Sequence, residues 1–361
     1  MPVSRHFILT QLNSFDPRKS TGLDDISPRF LKDGASVLAE PIGLSILTEI
    51  VPPELKRAKV VPIFKKGSRL DPGNYRPVSI LSAFSKILER AVNGQLVHHL
   101  NSRNLLYEHQ SGFRNRYSTD TCLMNLTDYV KGKVNKGELV GMVMIDLRKA
   151  FDTVDGDILI RKLSAMGVTS LDWFRSYLFD REQCTQVGGN NSSFLQVTCG
   201  VPQGSILGPT LFLCYVNDMA SCLNCHLSLY ADDSALVFSG RNASEIANFL
   251  SQELSFCKKW LIDNRLSLHV GKTESILFGS SRRIRAAGDF NVTCDGEMVQ
   301  RVTSIVYLGV GLDQCLNFDE YVVKVCKRAN NRLSFLHRYS RLLDEQTRKM
   351  LCNSLVLSNL T

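Results

Sequence analysis

The sequence contains no apolar stretch long enough to cross a membrane. A membrane-spanning helix needs about 18 consecutive apolar residues, and the 361 residues include no such run. The first residues, Met-Pro-Val-Ser-Arg-His, also lack the apolar core of a secretory signal peptide. We therefore expect a soluble, intracellular protein that acts in the nucleus, the cytoplasm or both and is not secreted.

Clusters of cysteine and histidine are missing as well. The eleven cysteines are scattered singly, apart from Cys222 and Cys225, which have the spacing of half a zinc site. Because no second Cys or His pair lies near them in the sequence to complete four ligands, a zinc site is not predicted. Single, reduced thiols are typical of a reducing compartment. Internal repeats and low-complexity linkers are also absent, which excludes a repeat array.

What the sequence does contain is an ordinary globular composition with an excess of positive charge. Hydrophobic residues make up 44% and charged residues 22% of a chain long enough for two or three subdomains around a shared core. The 43 Lys and Arg residues outnumber the 35 Asp and Glu residues, which gives a formal net charge of +8. This balance favours a polyanionic partner, for which nucleic acid is the natural candidate.

Two adjacent carboxylates interrupt an otherwise apolar stretch. An alternating apolar pattern over 227–231 precedes Asp232 and Asp233, and an apolar run over 235–238 follows them. The pattern predicts a β-hairpin whose turn carries both acids. Adjacent carboxylates repel each other and are usually neutralised by a cation. A solvated turn is the simpler alternative, because Asp is common in turns.

A second acidic strand end favours the cation. The near-continuous apolar run within 138–152 predicts a strand buried on both faces, and Asp146 interrupts it. If Asp146 lies beside the hairpin turn, the carboxylates converge and can hold two divalent ions about 3.5–4 Å apart. Mg²⁺ suits acidic ligands without His or Cys. The predicted reaction class is phosphoryl transfer.

Eight short motifs follow one another along nearly the whole chain. They are Lys-Val-Val-Pro-Ile-Phe-Lys-Lys-Gly at 59–67, Asn-Tyr-Arg-Pro-Val-Ser-Ile-Leu-Ser at 74–82, Gln-Ser-Gly-Phe-Arg at 110–114 with Ser-Thr at 118–119, Ile-Asp-Leu-Arg-Lys-Ala-Phe-Asp at 145–152, Gly-Val-Pro-Gln-Gly-Ser-Ile-Leu-Gly-Pro at 200–209, Tyr-Ala-Asp-Asp at 230–233, Lys-Thr-Glu at 272–274 and Tyr-Leu-Gly-Val at 307–310. In this order and spacing they resemble the reverse transcriptase domain of a non-LTR (LINE-type) retrotransposon. Each motif alone is weak, and the set argues against a chance resemblance.

The resemblance implies an α/β (α+β) right-hand polymerase fold. It would have an antiparallel palm sheet, helical fingers that carry a basic hairpin, and a partial helical thumb. The implied boundaries are an N-terminal segment at 1–50, fingers at 51–137, the palm with the catalytic core at 138–314, and the partial thumb at 315–361. Local patterns add a strand-turn-strand unit over 56–82 and helices over 83–101, 155–166 and 170–179.

The resemblance also implies an activity, RNA-directed DNA synthesis. A primer 3′-hydroxyl would attack the α-phosphate of a deoxynucleoside triphosphate with two Mg²⁺ ions bound. Asp146, Asp232 and Asp233 are the implied catalytic residues and metal ligands, and Lys272 is an implied general acid near the leaving pyrophosphate. The implied partners are an RNA template, a DNA primer and dNTPs, with no membrane.

Five residues are implied to bind the nucleotide. Lys65 and Arg76 would grip the triphosphate, where Arg can form a bidentate fork and Lys supplies a point charge. Phe151 would pack under the sugar and reject a 2′-hydroxyl. Gln203 would lie near the templating base, and Gly204 belongs to the tight turn at this place. The structural alternatives are solvated charges, a core aromatic and a plain loop–helix junction.

Three further residues are implied to contact nucleic acid, namely Gln110, Arg114 and Arg116 in the fingers. The arginines would neutralise phosphates and make the affinity sensitive to salt. The segment 307–310 resembles a primer-grip hairpin, although a purely structural hairpin is a close alternative. We expect Asp152 to cap the helix that follows it rather than to bind metal.

Other interpretations remain open. Between Pro41 and Pro53 the chain is shorter than this family usually is, and it ends abruptly within the implied thumb. The chain could therefore be a truncated, catalytically inactive remnant that binds nucleic acid. It could also be a group II intron maturase, since these proteins share Tyr-Ala-Asp-Asp, or an open reading frame that does not fold stably.

Overall fold

The structure is a computed structural model that describes residues 4–18 and 21–359. Within these residues the chain forms twelve α-helices and fourteen β-strands, joined by short 3₁₀ turns. Predictions that concern residues 1–3 and 19–20 of the N-terminal segment, or 360–361 of the thumb, lie outside the described residues.

The helices are spread over the whole described chain. They are α1 (Arg5–Asn13), α2 (Pro28–Asp33), α3 (Ala35–Leu47), α4 (Ala83–Ser102), α5 (Thr119–Asn135), α6 (Gly156–Ala165), α7 (Leu171–Leu178), α8 (Gly208–Val216), α9 (Ala243–Asp263), α10 (Ser281–Ala286), α11 (Asp319–Tyr339) and α12 (Glu345–Leu355). The helices predicted over 83–101, 155–166 and 170–179 are confirmed as α4, α6 and α7.

The strands group into short hairpins and two larger sheets. They are β1 (Arg57–Phe64), β2 (Tyr75–Ile80), β3 (Leu139–Ile145), β4 (Arg181–Val187), β5 (Asn190–Asn191), β6 (Leu195–Val197), β7 (His226–Tyr230), β8 (Asp233–Gly240), β9 (Glu274–Phe278), β10 (Thr293–Cys294), β11 (Glu297–Met298), β12 (Gln300–Arg301), β13 (Ser304–Tyr307) and β14 (Val310–Asp313).

One predicted helix cap is wrong. The side chain of Asp155, not of Asp152, accepts a hydrogen bond from Ile158 N over 2.9 Å and caps α6. Asp152 lies in the preceding 3₁₀ turn, and its carboxylate accepts a hydrogen bond from Gln203 instead. Both residues precede α6, and only the backbone path decides which carboxylate reaches the first free N–H groups.

The described chain divides into two compact units. The first contains the residues up to Ser118, then Asp146–Ser234 and Ser255–His269. The second contains Thr119–Ile145, Ala235–Leu254 and the residues from Val270 onward. This division follows other lines than the fingers, palm and thumb boundaries, which stay predictions.

A sheet in the first unit carries the predicted basic hairpin. Strand β1 pairs antiparallel with β2, from Lys59 opposite Ile80 to Phe64 opposite Tyr75, so the hairpin is confirmed. On its other side β1 pairs in parallel with β4, from Arg57 opposite Glu182 onward. Strands β5 and β6 both pair antiparallel with β4, and this extension was not predicted.

Helix α8 supplies much of the core of the first unit. Its residues from Thr210 to Val216 are all buried, and Pro209 stands in its first turn, where the missing N–H is harmless. A helix that is apolar on every side must be covered on every side. The glycine-rich motif at 200–208 therefore leads directly from the surface into the core.

A sheet in the second unit has strands in the order β12-β9-β3-β8. Strand β3 pairs antiparallel with β9, from Val140 opposite Phe278 to Met144 opposite Glu274. All its residues except Met144 are buried, which confirms the predicted strand covered on both faces. Strands β13 and β14 form the hairpin expected around 307–310. Helices α11 and α12 follow.

Candidate active site

The adjacent acids lie at the predicted hairpin. Strands β7 and β8 are neighbours, and the turn between them consists of Ala231 and Asp232, with Asp233 opening β8. Ala231 has a φ of +57°, in the left-handed region that a tight two-residue turn requires. Leu229 and Ala235 on either side are fully buried, so both acids emerge at the end of an apolar hairpin. We call residues 230–233 the carboxylate turn.

Asp146 follows the last residue of β3, and its backbone is fixed on one side. Its carbonyl oxygen accepts a hydrogen bond from His269 N over 2.9 Å. The next two residues are also paired, since Leu147 forms a bridge with Leu268 and Arg148 N donates to Ser267 O over 2.9 Å. The segment 267–269 thus acts as a short partner strand that holds this acid.

The three acids influence one another electrostatically. Desolvation raises the pKa of Asp233 from 3.8 to about 6, with further contributions from the charges of Asp232 and Asp146. Desolvation also raises the pKa of Asp232, and the charge of Asp146 adds to it. Like charges raise each other's pKa only when they are close in a poorly solvated place. The three carboxylates that the sequence singled out are therefore close enough to interact electrostatically.

Two cations of the basic hairpin face this negative cluster. Lys65 follows β1, Arg76 lies in β2, and both side chains are exposed. The charges of Arg76 and Lys65 lower the pKa of Asp232, and that of Lys65 lowers the pKa of Asp233. They offset the carboxylates only in part, because the pKa values stay raised. An anionic ligand with its own cations would meet both signs of charge here.

The glycine-rich turn is fastened to the protein backbone on two sides. Gly200 N donates to Val154 O over 2.7 Å, and Ser79 N of β2 donates to Gln203 O over 2.7 Å. Gly204 has a φ of +118°, and an added Cβ would lie 2.6 Å from Ser79 O. Glycine is therefore required at this position because the turn lies against the backbone of β2.

The side chain of Gln203 is held in turn. Its Nε2 donates to Asp152 Oδ1 over 2.8 Å. Gln203, Asp152 and Ser79 line a cavity of about 360 Å³ together with Lys149 and Arg181. The side chain of Gln203 is therefore hydrogen-bonded to Asp152 and also borders a cavity.

Phe151 is partly exposed at the edge of an aromatic cluster. Its ring stacks on the buried ring of Phe212 with centroids 4.4 Å apart, and Phe113 meets it edge-on at 6.2 Å. Phe113 is 56% exposed and has a φ of +52°, which is unusual for a bulky residue. Phe151 is thus packed against Phe212 on one side and partly exposed.

The three predicted nucleic-acid contacts differ in their surroundings. Arg116 is exposed. Arg114 is half-buried, with Nη1 donating to Tyr107 O and Gln110 O over 3.1 and 3.0 Å and its guanidinium 4.4 Å from the ring centre of Tyr117. Gln110 is buried, at 2% exposure, and its side chain hydrogen-bonds to the backbone of the carboxylate turn.

A buried carboxylate beneath the glycine-rich turn was missed in the sequence. Glu89 of α4 has no exposed surface, and its Oε2 accepts a hydrogen bond from Ile206 N over 2.6 Å. Its Oε1 accepts from Tyr177 OH over 3.0 Å, and Arg181 stabilises its charge. Burial nevertheless raises the pKa of Glu89. A lone Glu in an amphipathic helix gives no sequence signal for this role.

Two predicted features belong to the second unit. Lys272 ends the 3₁₀ turn Val270–Lys272, three residues after His269, and is exposed. The hairpin at 307–310 has Leu308 and Gly309 at φ +48° and +89°, and the ring of Tyr307 is fully buried. These positions leave the roles of Lys272 and the hairpin as predictions.

The donor chemistry of the carboxylate cluster suits a hard divalent cation. The acids supply only oxygen, which Mg²⁺ prefers, and burial raises the pKa of Asp232 and of Asp233. Across residues 4–18 and 21–359, however, no group of three or more His, Cys, Asp or Glu side chains is arranged to hold a metal ion.

Comparison with known protein families identifies the family of this chain. Residues 63–312 match the family described as reverse transcriptase (RNA-dependent DNA polymerase), a range that includes the three acids, both cations and the glycine-rich turn. The chain belongs to this family. Reverse transcriptases generally use divalent metal ions, in keeping with the oxygen-only cluster.

Named relatives place the chain more closely. It is 29% identical to the probable RNA-directed DNA polymerase from transposon BS of Drosophila melanogaster, over 93% of this chain and 38% of the relative. It is 26% identical to the RNA-directed DNA polymerase from mobile element jockey of Drosophila funebris, over 92% of this chain and 37% of the relative. The predicted resemblance to non-LTR retrotransposon reverse transcriptases is confirmed, and the chain spans well under half the length of these relatives.

Solved structures confirm the predicted polymerase fold. Apo telomerase from Candida tropicalis superposes with a TM-score of 0.50 at 15% identity, over 79% of this chain and 60% of that one. Telomerase from Candida albicans, solved with a fragment of telomeric RNA, gives 0.51 at 14% identity, over 78% and 49%. Among the described helices of this family member, none is long and apolar enough to cross a membrane.

Proposed function

We propose that this chain is the catalytic core of an RNA-directed DNA polymerase. In the proposed reaction, the 3′-hydroxyl of a DNA primer attacks the α-phosphate of a dNTP opposite an RNA template, and pyrophosphate leaves. The observation that carries this proposal is the cluster of Asp146, Asp232 and Asp233, which is electrostatically coupled to Lys65 and Arg76. Acids and cations facing each other suit a phosphate-bearing substrate that arrives with metal ions.

The acids would form the metal site. Asp146, Asp232 and Asp233 would hold two Mg²⁺ ions, which when bound activate the primer hydroxyl and stabilise the leaving pyrophosphate. The protein contributes a rigid setting, since the backbone beside Asp146 is paired with 267–269 and the carboxylate turn closes a buried hairpin. Preorganised ligands of this kind lower the cost of assembling the reacting groups.

The hairpin cations would bind the triphosphate. Lys65 and Arg76 are exposed and close enough to the acids to influence their pKa values, so both could meet a phosphate held there. Arg76 can form two parallel hydrogen bonds to phosphate oxygens, and Lys65 supplies a mobile point charge. Lys272 would donate a proton to the leaving pyrophosphate as general acid.

The nucleotide would be read by Phe151 and the glycine-rich turn. The accessible side of Phe151 would face the sugar and exclude a 2′-hydroxyl, because the stacked ring of Phe212 prevents it from retreating. Gln203 and Gly204 would lie beside the templating base, with Gln203 oriented by its hydrogen bond to Asp152. A fixed aromatic is a better steric gate than a mobile one, since yielding would cost packing energy.

Basic side chains would hold the template and primer. Arg116 is exposed and Arg114 half-buried in the segment that follows Gln110, and α11 carries several further cations. Each phosphate contact would add to a salt-sensitive affinity. All eleven cysteines lie in the described part of the chain and none is in a disulfide bond, which supports an intracellular site of action.

Primer extension tests the proposal. The parent protein and an Asp232→Ala, Asp233→Ala variant would be compared on a primer annealed to RNA, with Mg²⁺ and dNTPs. We expect extension by the parent and none by the double variant. Asp263→Ala, which changes an exposed acid at the end of α9, is the matched control and should extend like the parent.

The contradicting result is equally clear. If the folded parent binds primer–template but adds no nucleotide, the catalytic proposal fails. The chain is then a nucleic-acid-binding remnant that has the fold without the activity. Circular dichroism and a filter-binding titration on the same preparation separate this outcome from simple unfolding.

A further inference from the structure

The residues before the Gly-Phe-Arg segment run beside β7 like a short extra strand. Leu229 N donates to His109 O over 3.0 Å, and Ser111 N donates to Leu229 O over 2.8 Å. These bonds form a parallel bridge in which Gln110 is paired with Leu229. The loop at 109–111 therefore lies along the strand that leads into the carboxylate turn.

The side chain of Gln110 is bonded to the turn itself. Its Oε1 accepts hydrogen bonds from Gly112 N over 2.8 Å and from Ala231 N over 3.0 Å. Ala231 is 5% exposed and directly precedes Asp232. A buried N–H without a partner costs about 1–3 kcal/mol, so this acceptor stabilises the left-handed conformation that the turn needs.

Gly112 makes a second, independent contact with the same residue. A Cβ at this position would lie 2.3 Å from Ala231 N and 3.0 Å from Ala231 Cα. Both are backbone atoms that cannot move without displacing the turn. The two backbones thus approach as closely as glycine allows, and Gln110 bridges them.

We propose that Gln110 is a positioning residue for Asp232 and Asp233 and does not contact the template. With 2% of its surface exposed and its oxygen engaged by two N–H groups, it has almost no surface to offer a nucleic acid. This inference rests on the proposed polymerase function and deepens it. A misplacement of about 1 Å in a group that holds reacting atoms can lower the rate on the order of 100-fold.

The test is steady-state extension by Gln110→Met, which keeps the volume of the side chain and removes the acceptor. We expect kcat to fall on the order of 100-fold, with the KM for primer–template and its salt dependence unchanged. A template contact predicts the opposite pattern, a raised KM with a smaller salt slope and kcat preserved. That pattern would overturn the inference.

Two control variants test whether the loss depends on the acceptor oxygen of Gln110. Gln110→Glu keeps an oxygen that accepts both N–H groups in either protonation state, so it should retain most of the kcat that the Met variant loses. Gln252→Met makes the same substitution at an exposed residue of α9 and should behave like the parent. Equal losses in the Met and Glu variants would contradict a role that depends on the acceptor.

Hydrogen exchange measures the contact without any activity. The peptide 227–233 should exchange slowly in the parent and at least about tenfold faster in the Met variant, which corresponds to about 1.4 kcal/mol lost at the Ala231 amide. If the parent does not extend primers, the proposed function fails while this measurement still decides the positioning role. Unchanged exchange would overturn it.

Discussion

Removing the carboxylate of Glu89 should destabilise the first unit more than removing the hydroxyl of Ser85, its weakest hydrogen-bond donor. In the structure, this side chain has no exposed surface and accepts hydrogen bonds from Ile206 N and Tyr177 OH. It also offsets the charge of Arg181, which is itself buried. We consider two substitutions, Glu89→Leu, which removes every acceptor, and Glu89→Gln, which keeps one oxygen.

The size of the effect follows from what is left unpaired. In the Leu variant two buried donors lose their partner, at about 1–3 kcal/mol each. The buried Arg181 also loses the opposite charge with which it interacts electrostatically, its Nη2 already has no hydrogen-bond partner within the described chain, and a buried charge left uncompensated costs about 3–5 kcal/mol. We therefore expect the free energy of unfolding to fall by about 3–5 kcal/mol. The Gln variant should lose about 1–2 kcal/mol.

The assay is urea unfolding monitored by circular dichroism. Ser85→Ala is the matched control, because its hydroxyl donates to the same carboxylate over a long 3.4 Å and should be worth about 0.5 kcal/mol. The expected order of destabilisation is Leu, then Gln, then the Ser85 control. A Leu variant as stable as this control would refute the network.

The same group has a pH signature. Burial raises the pKa of Glu89 above its ordinary 4.5, so the folded state binds this proton more tightly than the unfolded state. The contribution of Glu89 protonation to the free energy of unfolding is therefore complete below pH 4.5, and it is lost as the pH rises through the pKa that Glu89 has in the folded state. The advantage of the parent over Glu89→Gln should therefore shrink as the pH is raised from 4.5. A constant difference would contradict the raised pKa.

Two further predictions concern stability. Gly112→Ala should lower the free energy of unfolding by about 1–3 kcal/mol, because the added Cβ would meet the backbone of the carboxylate turn. Gly132→Ala changes an open position of α5 and is the control, which should raise the free energy of unfolding by about 0.5–1 kcal/mol in the same urea titration. Burial and the charge of His109 lower the pKa of His226 to about 4. The neutral ring of His226 therefore contributes fully to the stability of the fold above pH 6.5, and this contribution is lost as the pH falls toward 4. His226→Gln should reduce the loss of unfolding free energy between pH 6.5 and pH 4 by about 1–2 kcal/mol, a figure that allows for solvent at a half-buried ring. His6→Gln changes an exposed histidine and is the control. An equal reduction in the His6 variant would contradict the assignment to His226.

Sequence patterns predicted those parts of the site that arise from local structure. The hairpin around Asp232 and Asp233 follows from two apolar runs with acids between them, and Asp146 follows a strand that is buried on both faces. Local chain geometry places such acids at strand ends without further information. Their convergence was inferred from the need to neutralise charge, and the shared pKa perturbations agree with it.

The contacts that hold the site together were not predictable in this way. Glu89 looks like an ordinary charged residue of an amphipathic helix, and its partner Ile206 lies 117 residues away. Gln110 was expected to contact template, although it is buried against Ala231. The strand β4 has mostly polar residues with only Arg181 and Cys184 buried, so it lacks the apolar alternation that indicates a strand. Such features depend on tertiary contacts.

The pairing of β1 limits how the basic hairpin can move. Its first half, Arg57 to Val60, is paired with β4, and Lys59 and Val60 are paired with β2 as well, whereas its second half, Val61 to Phe64, is paired with β2 alone. A hairpin that is paired with a further strand only at its base bends most easily where that pairing ends. Lys65, which lies beyond this point, would therefore move more than the residues at the base of the hairpin. Any movement of Lys65 relative to the first half of β1 would then be a local flexing beyond Val60, with the part of the strand that is paired with β4 held fixed.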